Sequence, residues 1–191
     1  MKRNFIFAAL IATFAMAVSV SASGQTPNFS GTWTLDIAQS KLGERNNIES
    51  QTLTVWQNEK DIKVSTTTKR MAPPAGAPAG GPPPGGGGGR MGGGGMGGDI
   101  SVTYTLDGAE TTVEMDSPMG KMPVKYMAKI DGGKLKLGSS RTMNGPNGEM
   151  KVSSKETWTI SVDGTTLNVE SESTGMRGTT TTSKVFKKKV S

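Results

Sequence analysis

Three Asp-Gly pairs, Asp107-Gly108, Asp131-Gly132 and Asp163-Gly164, each end one alternating apolar stretch and open another. Between such stretches Asp-Gly signals a two-residue hairpin, because both central positions of that turn need positive φ. Ile100, Val102, Tyr104 and Leu106 precede the first pair; Met122, Val124, Tyr126, Ala128 and Ile130 the second; Val152, Glu156, Trp158, Ile160 and Val162 the third. Residues two apart share one face of a strand, so each run predicts a strand with one buried face. Asp107 and Asp131 are 24 residues apart and Asp131 and Asp163 are 32 apart, room for two strands each. In an up-and-down meander all three turns then lie at one end.

The earlier chain follows the same rule. Trp33, Leu35 and Ile37 alternate with Thr32, Thr34 and Asp36, and Gly31 stands where the backbone can pass close under an indole because it has no Cβ. Leu53 and Val55 face inward on a second strand with Trp56 outward, and Ile62, Val64 and Thr66 share a face of a third. The last strand, Thr179 to Lys187, turns Val185 or Phe186 inward. The reading is all-β: one up-and-down antiparallel barrel of about 8 to 10 strands, since a sheet of that size with one apolar face closes on itself to remove its edges. The connections Ala38 to Ser50, Ser117 to Gly120, Asn144 to Gly148 and Thr174 to Gly178 are expected to form a looser, open end opposite the three tight turns.

Two segments stand outside that pattern. Residues 71–98 hold 14 Gly and 6 Pro and nothing bulkier than Met or Arg, too little apolar surface to offset backbone entropy, so a disordered insertion is expected there. Residues 1–22 read as a signal peptide: Lys2 and Arg3, an apolar run from Phe5 to Val20, then small residues. Residues 23–70 and 99–191 together form the one barrel domain, expected to be periplasmic or secreted, with no transmembrane segment in the mature chain. The chain has no cysteine, which excludes disulfides and a lipid-anchored N-terminal Cys.

Loss of Lys2 and Arg3 reduces the net charge from +6 to +4, with the charges interspersed, and no basic stripe interleaved with aromatics points to nucleic acid. Having neither His nor Cys, the chain lacks the usual triads and zinc ligands, so no enzyme activity, cofactor or metal centre is expected. Glu156, in register with Trp158 and Ile160, would point inward, where a carboxylate serves as a polar plug or a general acid; the plug is the simpler reading.

The segment Phe29-Ser30-Gly31-Thr32-Trp33-Thr34-Leu35, leading into a meander, resembles the Gly-x-Trp opening strand of the calycins, the lipocalins and fatty-acid-binding proteins. The hairpin from Glu156 to Glu170 is similar to the later part of small exported bacterial lipocalin-like domains. The resemblance implies a barrel whose floor is plugged by Trp33. It departs from the family in lacking a Thr-Asp-Tyr motif, in having only 13 residues from Ala38 to Ser50 where fatty-acid-binding proteins insert two helices, and in offering Lys184 where an Arg often stacks on the Trp.

Three functions follow: a binding module for a small apolar or amphipathic ligand, an envelope interaction protein whose barrel is filled by its own side chains, and a soft-metal binder using the loop methionines Met71, Met91, Met96, Met119, Met143 and Met176. For the first, the expected ligand-binding residues are Tyr104, Tyr126, Glu156, Arg141 and Arg177, with Gly31, Trp33 and Trp158 structural. Arg141 and Arg177 are expected at a basic rim that holds a negative head group while the apolar body enters the barrel.

Overall fold

The computed structural model describes residues 26–43, 46–72, 100–117, 120–145, 148–175 and 178–190. Ten strands form one antiparallel sheet: β1 (Gly31–Lys41), β2 (Ile48–Gln57), β3 (Asp61–Arg70), β4 (Ile100–Thr105), β5 (Thr111–Ser117), β6 (Gly120–Asp131), β7 (Lys134–Gly145), β8 (Gly148–Ile160), β9 (Thr166–Gly175) and β10 (Gly178–Lys188). The order is β4-β3-β2-β1-β10-β9-β8-β7-β6-β5, so first and last strands pair at the centre and the free edges are β4 and β5. The sheet curls until β4 meets β6, where the rings of Tyr104 and Tyr126 pack edge to face at 5.4 Å and Asp107 bridges Lys129. The result is a nearly closed barrel, the all-β architecture expected. Residues 73–98 of the expected 71–98 insertion lie outside the described residues, as does the expected signal peptide, 1–22.

One end is a packed floor. Phe29, Trp33, Ile62, Leu135, Leu167 and Phe186 are all fully buried there. Trp33 Nε1 donates to the Phe29 carbonyl at 3.0 Å, and Phe29 meets Trp158 edge-on at 6.3 Å. The segment before β1 is pinned by Gln57, whose Oε1 accepts from Phe29 N and whose Nε2 donates to the Pro27 carbonyl. Phe29 precedes the alternation that starts at Trp33, and the sequence reading gave it no core role.

The three Asp-Gly turns do share this end with Trp33, but each of them differs from the expected two-residue Asp-Gly hairpin. β4 and β5 form no ladder; Gly108 N instead donates to the Ala128 carbonyl of β6, which makes Asp107-Gly108 the hinge of the barrel's lateral gap. The β6–β7 turn is centred one residue later, on Gly132 and Gly133 with φ of 57° and 76°, and Asp131 pairs with Lys134. The third turn spans Ser161 to Thr165, leaving Val162 fully exposed rather than inward.

Ile37 is exposed rather than buried, at 38%, and β1 bulges there: between the pairs Asp36↔Val185 and Lys41↔Ser183, four residues of β1 stand opposite one of β10. Ser40 Oγ bridges the bulge, donating to the Asp36 carbonyl and accepting from Val185 N. At Gly31 a Cβ would stand 2.9 Å from Lys188 Cε, and φ is +141°, so the close approach is to Lys188 as well as to the indole. Lys188, not Lys184, covers Trp33, its Nζ lying 5.2 Å from the ring centroid.

The opposite end is tighter than expected. Ladders continue to Ser117↔Gly120, Gly145↔Gly148 and Gly175↔Gly178, so three of its connections span two residues rather than loose loops. The polar Gly, Ser and Thr residues there read as loop in sequence but are carried into strand by their neighbours.

Candidate functional site

Inward side chains change character halfway along the barrel. Beyond the floor, β2 offers Gln51, β3 Thr66, Thr68 and Arg70, β4 Val102 and Tyr104, β6 Tyr126, β7 Ser139 and Arg141, β8 Val152, Ser154 and Glu156, β9 Ser171, and β10 Lys184. Most of these inward residues are half-buried, so solvent reaches the barrel's interior at this end, whereas the floor residues admit none.

Glu156 lies at the electrostatic centre. Its Oε2 accepts from Trp158 Nε1 at 2.8 Å. Tyr104 is held above the ordinary phenol range by burial first, then by the Glu156 charge, then by Tyr126. Tyr126 is also raised by burial, opposed by the positive charge of Arg141. Both phenols therefore stay protonated and act only as neutral hydrogen-bond groups at ordinary pH. Tyr126 Oη spends its proton on Met115 Sδ at 2.9 Å, a weak acceptor that a better oxygen could displace.

The cations outnumber the carboxylate. Lys184 Nζ donates to Gln51 Oε1 at 3.1 Å, and Gln51 Nε2 donates to Thr68 Oγ1 at 2.9 Å. Burial pulls the Lys184 ammonium below its usual range, the Glu156 charge pulls it back up and Arg70 pushes it down. Arg70 Nη1 donates to Asn47 Oδ1 at 2.6 Å. Arg141 Nε is buried with no hydrogen-bond partner among the described residues. A buried unsatisfied donor on a cation is costly, about 1 to 3 kcal/mol or more, so its persistence asks for an acceptor.

Of the expected site residues, Tyr104, Tyr126, Glu156 and Arg141 come together inside the barrel, and Arg177 lies outside the described residues. Arg141 sits within the wall opposite Val124 and Val152 and faces inward, not out at a rim. Gly31 and Trp33 belong to the floor, and Trp158 marks the boundary between the halves. Sequence reasoning missed Gln51, Met115 and Lys184 as members of the site, whereas up-and-down parity does place Arg70 at its basic end. The signal was present in register: Gln51 precedes Leu53 and Val55 by even steps, and Lys184 precedes Phe186. Among the methionines of the soft-metal reading, Met71 and Met143 are exposed, and Met91, Met96, Met119 and Met176 lie outside the described residues.

No family model and no curated protein matches this chain. Among solved structures it is similar to the zebrafish ileal bile acid-binding protein complexed with cholic acid, at 18% identity, with 84% of this chain and 98% of that chain covered and a TM-score of 0.47. A likeness at this level does not extend to ligand or family membership.

Proposed function

We propose that this protein is a non-catalytic binding module that takes a small amphipathic molecule with an oxyanion head group into the open half of its barrel. The observation that carries the reading is Arg141 Nε, buried without a partner among the described residues, its charge acting on a Tyr126 hydroxyl that donates to the Met115 thioether. The unpartnered Arg141 Nε and a Tyr126 hydroxyl on a weak acceptor, with Arg70 and Lys184 across the interior and Glu156 the one opposing carboxylate among the described inward residues, favour an anion over a neutral or cationic head. Val102, Val124 and Val152 supply apolar wall for the body.

The test is the tryptophan emission of the protein titrated with sub-micellar dodecyl sulfate and, separately, dodecyltrimethylammonium. Saturable change with the sulfate alone supports the reading; equal response to both, or none, contradicts it. The floor favours one competing reading, an interaction protein with a barrel filled by its own side chains, because that half is filled in this way. Absence of any saturable ligand response would support it.

We further infer that residues 1–22 direct export and that the mature protein works in the periplasm or outside the cell. N-terminal sequencing of the protein recovered from an exporting bacterium should begin within about two residues of Ser23. Among the described residues no helix is long and apolar enough to cross a membrane.

A further inference from the structure

Lys184 differs in setting from the lysines of the outer faces. Lys69, Lys121, Lys125, Lys129 and Lys136 each lie within 4.0 Å of an exposed carboxylate, and Lys188 lies over the Trp33 ring. Lys184 projects inward between Phe186 and Thr182, opposite the buried Val169, and donates a hydrogen bond to the neutral Gln51 amide. Among the described residues no carboxylate lies within ion-pair distance of it. The charged groups that act on it are Glu156 from β8 and Arg70 from β3.

We propose that Lys184 is a nucleophilic amine inside the ligand site, and that it captures an aldehyde-bearing apolar or amphipathic ligand as an imine. The inference rests on the reading of the open half as a ligand site but not on that ligand's being an anion. The Nζ lone pair adds to the aldehyde carbon as the C=O π pair moves to oxygen. Proton transfer from nitrogen to that oxygen and loss of water then leave C=N. Aldehyde and amine give imine and water, with no oxidant or reductant required.

Two features of the setting favour this chemistry. The reaction needs the unprotonated amine, and burial together with Arg70 disfavours the ammonium. The product, when protonated, is again a cation, and the Glu156 charge that attracts Lys184 would stabilise it. Gln51, tied to Thr68, holds the amine in place without donating a charge to it.

The test treats the full mature chain near neutral pH with a small excess of octanal and cyanoborohydride, which reduces the imine to a stable amine. Adducts are then located by peptide mapping. A lowered lysine pKa enlarges the neutral fraction near neutral pH, so Lys184 should be labelled faster than any lysine of the outer faces. Lys184→Met should abolish that adduct while keeping the β-sheet circular dichroism. Mapping of the unaltered protein needs no variant to fold. Labels spread over Lys187, Lys188 and other outer lysines, with Lys184 no faster, would overturn the inference. Dodecyl sulfate binding measured on the same sample separates two failures: binding without Lys184 labelling removes the imine alone, and loss of both removes the ligand site with it.

Discussion

The two halves of the barrel are made by the same strands with the same alternation, yet one is solid and the other is open. At the floor, apolar side chains from eight strands and the Phe29 segment meet and exclude water. A few residues along those strands, Gln51, Ser139, Ser154, Glu156 and Lys184 occupy equivalent inward positions. A period of two therefore tells which way a side chain points, while its size and polarity decide whether the space in front of it is filled. The floor carries stability and the open half carries chemistry.

The comparison breaks first at Trp33. Trp33→Ala should cost about 3 to 5 kcal/mol in urea unfolding, whereas Trp56→Ala, at an outer position 56% exposed, should cost clearly less. Equal losses would mean the floor is not the stability centre. Arg141→Met should do the reverse, lowering dodecyl sulfate affinity by about tenfold or more, the worth of a charged hydrogen bond of about 1.5 to 3 kcal/mol, with little loss of stability. A large fall in stability with unchanged affinity would move Arg141 from ligand site to scaffold.

Gly31 sharpens the floor's edge. Gly31→Ala should destabilise by about 1 to 3 kcal/mol, because φ of +141° strains any residue with a Cβ and the new methyl must displace Lys188. A neutral result would show that the strand opening relaxes freely.

How much of this was legible in sequence follows from the same contrast. Trp33, Leu53 and Ile62 announce themselves, because a large apolar residue at alternate positions has few other places to go, whereas Val185 and Phe186, adjacent and both apolar, leave the inward face of the last strand open. Phe29 does not announce itself, since its role depends on Gln57 pinning an irregular segment across the floor. Ile37 misleads because the ladder breaks at a bulge just after Asp36, a backbone event that no residue type there demands. Asp107-Gly108 is a turn, as its positive φ at Gly108 requires, but the turn residues do not say whether the strands on either side will pair. Up-and-down parity alone puts Arg141 at the rim opposite the Asp-Gly turns, and only the β7–β8 ladder shows that it faces inside the wall.

The smallest effect expected is on acid stability. Asp163 accepts from Ser161 Oγ and from Thr165 Oγ1 and N, which lowers its carboxyl from 3.8 to about 2. A pKa depressed in the folded state contributes stability above the unfolded value that is lost as pH falls through the folded one. The β8–β9 turn should therefore weaken only between about pH 4 and pH 2, and Asp163→Asn should flatten that window in an acid unfolding curve. An unchanged curve would show that the turn's hydrogen bonds add nothing.

The account's central claim is that ligand enters the open half and leaves the floor untouched. Backbone amide NMR of the labelled mature protein, titrated with sub-micellar dodecyl sulfate, reads both halves at once. Saturable shifts should cluster at Tyr126, Ser139, Arg141, Glu156 and Lys184, while Trp33, Leu135 and Leu167 stay still. Shifts confined to the outer face around Trp56, or spread evenly through the floor, would contradict it.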